Sequence, residues 1–167
     1  MRPEAIVYTS NTGHTARYAE ILSTKTGLPF YTIEEAKGQL KKHTPVIFMG
    51  WLFASRVKGY KKAAKRYDVC AVCGVGLCPT GQLLQEVRTA AKIPDAIPLF
   101  TVQGGMDYPK LKGINKFMID VLVKNLQKKN SSDPGEKAML ALIEKGGNFV
   151  NKKNLADVIR WYDKKAK

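Results

Sequence analysis

Ile6-Val7-Tyr8-Thr9-Ser10-Asn11-Thr12-Gly13-His14-Thr15-Ala16 is a short apolar run that ends in a hydroxyl-rich turn around one glycine. The residues that follow, 15–26, place Ala16, Ala19 and Leu22 at helical spacing, and Gly27 supplies a C-cap. Strand, turn and helix is therefore the predicted order, with the turn at the helix N-terminus. Such a terminus leaves backbone N–H groups unpaired and carries a partial positive charge. A phosphate placed there satisfies both. The hydroxyls of Ser10, Thr12 and Thr15 add donors, and Gly13 admits a positive φ. The turn holds no Lys, so dipoles and hydroxyls carry the predicted binding. The plain alternative is a polar N-cap turn, and three hydroxyls around a glycine favour the phosphate reading.

The same alternation continues along the chain. Apolar runs recur at 46–49, 69–75 and 98–102, with a weaker one at 29–32. Most lack the period-2 alternation of half-exposed strands, which predicts strands covered on both faces. Helical patterns separate or follow them at 33–40, 57–66, 82–92, 111–129, 136–145 and 155–164. The longest carries Leu111, Ile114, Met118, Val121, Leu122 and Asn125 as one stripe, and Ser131-Ser132-Asp133-Pro134-Gly135 ends it. Residues 128–135 read as a polar surface loop. Alternating strands and helices predict an α/β three-layer sandwich on a five-stranded parallel sheet, as one domain over 1–167.

Other chemistries find less support. Gly-Lys-Ser/Thr is absent, so the turn is not a Walker loop. Gly74-Val75-Gly76 follows a strand, but Pro79 takes the place of the third glycine of a dinucleotide fingerprint. Cys70 and Cys73 are spaced like a zinc or dithiol pair, yet both fall in an apolar strand where residues three apart face opposite sides. No second ligand pair lies near them, so core packing is expected and no metal site. Cys78 lies in a loop and is the more accessible thiol. No acid/base constellation is evident, so no catalytic side chain is assigned.

The charge is +14, from 28 basic and 14 acidic residues, spread over predicted helix faces. No nucleic-acid-binding signature accompanies it, and nucleic acid is not expected as a partner. No stretch approaches the ~20 apolar residues of a membrane helix. Met1-Arg2-Pro3-Glu4 runs straight into a strand without a secretory pattern, and the cysteine count is odd. A cytoplasmic protein is the expectation.

Residues 6–15 resemble the first strand and FMN-phosphate loop of the flavodoxin family, and the strand pattern extends the resemblance over about 4–125. The resemblance implies strand order 2-1-3-4-5, FMN as cofactor, and a flavin across three loops. The first is Ser10-Asn11-Thr12-Gly13-His14-Thr15. The second is Gly50-Trp51-Leu52-Phe53-Ala54-Ser55, where one of Trp51 and Phe53 is expected on the flavin and the other in the core. The third is Gly74-Val75-Gly76-Leu77-Cys78-Pro79, which lacks the aromatic residue that electron-carrying flavodoxins usually place there. Its glycines would let backbone N–H groups reach the flavin. His14 is expected to offer its backbone or face solvent, and His43 to lie on the surface.

Gln103-Gly104-Gly105-Met106-Asp107-Tyr108-Pro109-Lys110-Leu111 is similar to the branch that includes flavin-dependent protoporphyrinogen oxidases. Tyr108 there either reaches the ligand or pins the loop, and Asp107 is expected to cap the next helix. The resemblance implies an FMN-binding redox protein of flavodoxin type. The alternatives are an oxidoreductase acting on an anionic substrate, or a non-redox module for a phosphate ligand. Flavodoxin shuttles are typically acidic. A basic chain should instead favour an acidic redox partner, an anionic substrate or the surface of an anionic membrane.

Overall fold

The computed structural model describes residues 1–111, 113–129 and 133–166. All five expected strands form: β1 (Ala5–Thr9), β2 (Phe30–Thr32), β3 (Pro45–Phe53), β5 (Asp68–Gly76) and β6 (Leu99–Gln103). They pair in parallel in the order β2-β1-β3-β5-β6. Counting these five alone, that is the expected 2-1-3-4-5. The inner strands bury consecutive residues, as in Ala5-Ile6-Val7 and Val46-Ile47-Phe48-Met49, because helices cover both faces.

On one face lie α1 (His14–Thr26) and α7 (Ala156–Ala166). Tyr18, Leu22, Val158 and Tyr162 pack there on Ile6, Ile47, Met49 and Cys73. The other face carries α2 (Ala36–Gln39), α3 (Tyr60–Ala64) and α4 (Leu84–Ala91). Their Ala36, Tyr60, Ala63 and Val87 meet Val7, Val46, Phe48 and Val72. The result is a three-layer α/β sandwich with flavodoxin-like strand order.

Several elements depart from the sequence reading. The helix expected over 33–40 shrinks to α2, and residues 33–35 form a turn before it, closed by the Glu35 carboxylate, which accepts from the Thr32 N–H at 2.9 Å and hydroxyl at 2.8 Å. The helix expected over 57–66 begins only at Tyr60, after Gly59 at φ 85. Residues Arg56–Val57 form β4, which turns back antiparallel on β3, with Val57 opposite Leu52. Ala54 and Ser55 make that two-residue turn with φ values of 46 and 57. Both signs are those of a type I′ hairpin, which usually selects Asn-Gly. Gly50, Trp51, Leu52 and Phe53, expected in a loop, therefore lie in a strand.

In β5, Val46 faces Val69 while Ile47 faces Ala71, so Cys70 is the extra residue of a bulge. Cys73 is fully buried and Cys70 only partly, and no thiol pair forms. Among the described residues no group of His, Cys, Asp and Glu could hold a metal ion.

The helices α5 (Gly113–Lys129) and α6 (Pro134–Lys145) do not cover the sheet faces. They cap the carboxyl end of the sheet, joining Leu111, Ile119 and Ile143 in a third cluster with Phe53, Leu77, Met106 and Leu122. The stripe read along this helix is split: Leu111 is buried, whereas Ile114 is 73% exposed and Val121 40%. A small ladder of β7 (Gly105–Met106) and β8 (Gly147–Asn148) closes this excursion. Asp133 caps α6, its Oδ1 accepting from Gly135 N–H at 2.6 Å and Glu136 N–H at 2.9 Å. Of the expected surface loop at 128–135, residues 130–132 lie outside the described residues. No described helix is long and apolar enough to cross a membrane.

Candidate functional site

A cavity of about 270 Å³ opens at the carboxyl ends of β1, β3 and β5. Strand order reverses between β1 and β3, and open α/β sheets bind ligands in the crevice at that switch point. All three expected loops contribute to its wall. Ser10, Asn11, Thr12, His14 and Thr15 line one side, Trp51 to Ala54 another, and Val75, Gly76 and Leu77 the floor beside Cys78 and Pro79.

Three expected residues do not line it. Gly13 sits on the outer side of the turn, next to an open groove that also holds Arg17, Lys110 and Lys145. Gly50 and Gly74 pack inside the sheet, and at Gly50 glycine is required for space. A Cβ on Gly50 would stand 2.5 Å from the Lys58 carbonyl oxygen, whereas one on Gly74 would meet the movable end of the Leu52 side chain at 2.9 Å. Gly74 and Gly76 pair with Thr101 and Gln103 in the ladder, so their backbone belongs to the sheet. The third loop begins only beyond them. It is fastened to β6 through Gln103 Nε2 to the Leu77 carbonyl (3.0 Å) and Thr101 Oγ1 to the Gln82 carbonyl (2.7 Å).

The turn has the geometry its sequence asks for. Gly13 stands at φ 99, and a Cβ there would meet nothing within 4 Å, so glycine serves backbone conformation alone. The first intrahelical bond of α1 runs from Arg17 N–H to the Gly13 carbonyl. Helix geometry thus directs the N–H groups of His14 and Thr15 off the terminus. The Ser10 hydroxyl oxygen accepts from Gly13 N–H at 3.2 Å and Ala16 N–H at 3.4 Å, which leaves its own proton to donate. Thr15 is buried at the cavity edge.

His14 is half-buried, between the cavity and the open groove. Its Nδ1 lies 3.0 Å from the Thr12 hydroxyl, and the backbone of Gly147 hydrogen-bonds the ring. Burial pushes the imidazole below its ordinary range, with Lys110 adding to the fall and Asp107 and Gly147 opposing it. A neutral ring that donates to the Gly147 carbonyl accepts the Thr12 proton at Nδ1. Thr12 then supports His14 rather than donating into the cavity.

Trp51 and Phe53 are both half-buried and both line the cavity, 6.1 Å apart edge to face. Both residues therefore line the site, where one alone was expected to. β3 runs past the covering helices, so neither ring enters the two clusters that flank the sheet, and Phe53 packs on the third. Lys58 lies over Trp51, 5.6 Å from its centroid.

Tyr108 pins the excursion: its hydroxyl donates to the Asp120 carboxylate and accepts from Lys116 Nζ at 3.0 Å. Asp107 does not cap a helix with its side chain and instead pairs with Lys110 at 2.6 Å. His43 is exposed and lies 3.1 Å from Asp68.

Sequence reasoning missed the far wall, which is made by Met106, Ile119, Leu122 and Ile143. Met106 belonged to a motif singled out for other reasons, and Leu122 to the stripe of the long helix, with no site role attached. Nothing local marks Ile143. The fold and this cavity define a doubly wound α/β protein with a largely apolar chamber at its switch point. No family model, curated protein or solved structure matches the chain.

Proposed function

We propose that the cavity binds FMN non-covalently and that the chain is a redox protein of flavodoxin type. The observation that carries this reading is the convergence, at one switch point, of the 10–15 turn and the Trp51–Phe53 pair on a single chamber. Its volume of about 270 Å³ lies just below the roughly 300–1,000 Å³ of ligand sites, which suits a ring system and not a whole dinucleotide. The neutral donor set suits a phosphate held by dipoles. When bound, FMN supplies the electron transfer, and the protein supplies binding, orientation and electrostatics.

The N–H groups of His14 and Thr15 and the Ser10 hydroxyl hold the phosphate in this reading. Trp51 and Phe53 offer aromatic surface to the ring, and Ile119, Leu122 and Ile143 exclude water from it. His14 is held neutral and so adds no charge at neutral pH. The +14 charge favours an acidic redox partner or an anionic substrate, as a protoporphyrinogen-oxidase-like enzyme would take. A cytoplasmic location belongs to the same reading and agrees with three free thiols.

One observation favours the second reading, a non-redox phosphate-ligand module: Gly74 and Gly76 are held in the ladder opposite Thr101 and Gln103, so the third loop offers a flavin less than the 10–15 turn offers a phosphate. The experiment is direct. Purified protein titrated with micromolar FMN should turn yellow and quench flavin fluorescence. Protein that stays colourless and does not quench refutes the flavin, and binding of phosphate compounds without flavin then supports the module.

A further inference from the structure

We propose that the outer face of α5 docks the protein on an anionic lipid bilayer. Among the described residues, the apolar side chains Ile114, Phe117 and Val121 are 73%, 66% and 40% exposed. They stand at i, i+3 and i+7, so they form one stripe and are not scattered. Lys124 and Lys128, both exposed, continue it. At 3.6 residues per turn, the five positions fall within about 80° of one another around the helix. The face is therefore apolar in its first half and basic in its second.

The inner side of α5 is already occupied. Ile119 is buried and Leu122 lines the cavity. Core packing thus accounts for one apolar stripe of this helix and leaves the other bare. Contiguous bare apolar surface on a water-soluble face marks an interaction site.

Charge decides the occupant. A second copy would bring another +14 chain against Lys124 and Lys128. Three apolar side chains also fall well short of the ~800 Å² per partner of a stable protein interface. An anionic bilayer fits both halves of the face. Its acyl boundary takes Phe117 and its neighbours, and its headgroups take the lysines, as for helices that lie in the interface. No described helix spans a membrane, so the contact is peripheral. This inference stands apart from the FMN reading, since none of its residues touches the proposed ligand.

Full-length protein is sedimented with phosphatidylcholine vesicles, with and without phosphatidylserine. Binding is expected only where phosphatidylserine is present, and should weaken steeply with added salt. Lys124→Ala with Lys128→Ala should weaken it about fivefold per lysine, near 30-fold together. Ile114→Ser, Phe117→Ser and Val121→Ser together should weaken it at least about tenfold, from the lost apolar burial. Far-ultraviolet circular dichroism checks the fold. If the triple variant is unfolded, Phe117→Ser alone carries the test.

Equal binding to neutral vesicles would overturn the proposal. So would full retention of anionic-vesicle binding by the folded stripe variant, which would mean that the general basic surface suffices. A wild-type dimer that the stripe variant dissociates would assign the face to a second copy, and loss of vesicle binding in favour of an acidic protein would assign it there.

Discussion

Gly50→Ala separates a ligand-loop role from a packing role for a glycine that the sequence places in a flavin loop. The new methyl would lie 2.5 Å from the Lys58 carbonyl oxygen and 2.7 Å from Val57 Cγ1. The carbonyl cannot retreat cheaply. It accepts the Thr9 hydroxyl at 2.7 Å, and the Lys58 N–H is bonded to the Trp51 carbonyl at 3.0 Å. Overpacking of this kind costs about 1–3 kcal/mol. Displacing the Thr9 bond adds about 1 kcal/mol. A total of about 2–4 kcal/mol is therefore expected, which for a chain of this size lowers Tm by roughly 5–15 °C.

Urea unfolding followed by circular dichroism measures the cost. Adding Val57→Ala should not restore stability, because the obstacle is backbone. Gly13→Ala is the control: it meets no atom, and its cost of about 1–2 kcal/mol is left-handed strain alone. A Gly50→Ala protein within about 0.5 kcal/mol of wild type would refute the packing account of β3 and β4.

Three further outcomes follow from other parts of the structure. Tyr18→Phe should cost about 1–2 kcal/mol in the same assay, because the hydroxyl donates to the Gln103 carbonyl and accepts from Asn154 Nδ2 at 2.7 Å and Asn151 N–H at 3.3 Å. Tyr162→Phe, which loses one bond to the Thr26 carbonyl at 3.2 Å, should cost less, and the reverse order would count against the network. Cys73, whose thiol burial pushes up to about 12, should resist a thiol reagent at neutral pH until denaturant is added. Fast native labelling of Cys73 would contradict its burial. His14 is held below its unfolded value near 6.5, so the unfolded chain takes the proton first as pH falls. Its stabilising contribution is full above about pH 6.5 and declines below it. Wild type should therefore lose more stability than His14→Gln between about pH 7 and 5, and parallel profiles would argue against a half-buried neutral ring.

The sheet was legible because strands covered on both faces read as unbroken apolar runs, as Val46 to Met49 do. The turn at 10–15 was legible because Gly13 and its hydroxyl neighbours each have a local reason to be there. The strand order came from resemblance alone. What escaped depends on partners distant in sequence. β4 and the β7–β8 ladder are two residues long and have no period, and Ala54-Ser55 lacks the residues that advertise a hairpin. Cys70 looked like an ordinary strand residue because a bulge is set by the neighbouring strand. On α5 two apolar stripes compete, and periodicity does not say which one the cavity takes. The chamber itself was half legible: its strand ends were named in advance, while Ile119 and Ile143 belong to it only because the chain comes back.

That return sets the topology of unfolding. The excursion leaves the sheet at Gly105–Met106 and rejoins it at Gly147–Asn148, with Phe149 N–H donating to the Gly104 carbonyl at 2.7 Å. Both ends of the segment are thus fastened at one spot, and α7 completes the sandwich without it. Such a segment is a cooperative unit of its own, able to open while the five parallel strands stay paired. Amide exchange should rank α5 and α6 as the least protected helices of the fold and the amides of β3 and β5 as the slowest. Since Ile119, Leu122 and Ile143 ride on that unit, the chamber's apolar wall is only as durable as a ladder of four residues.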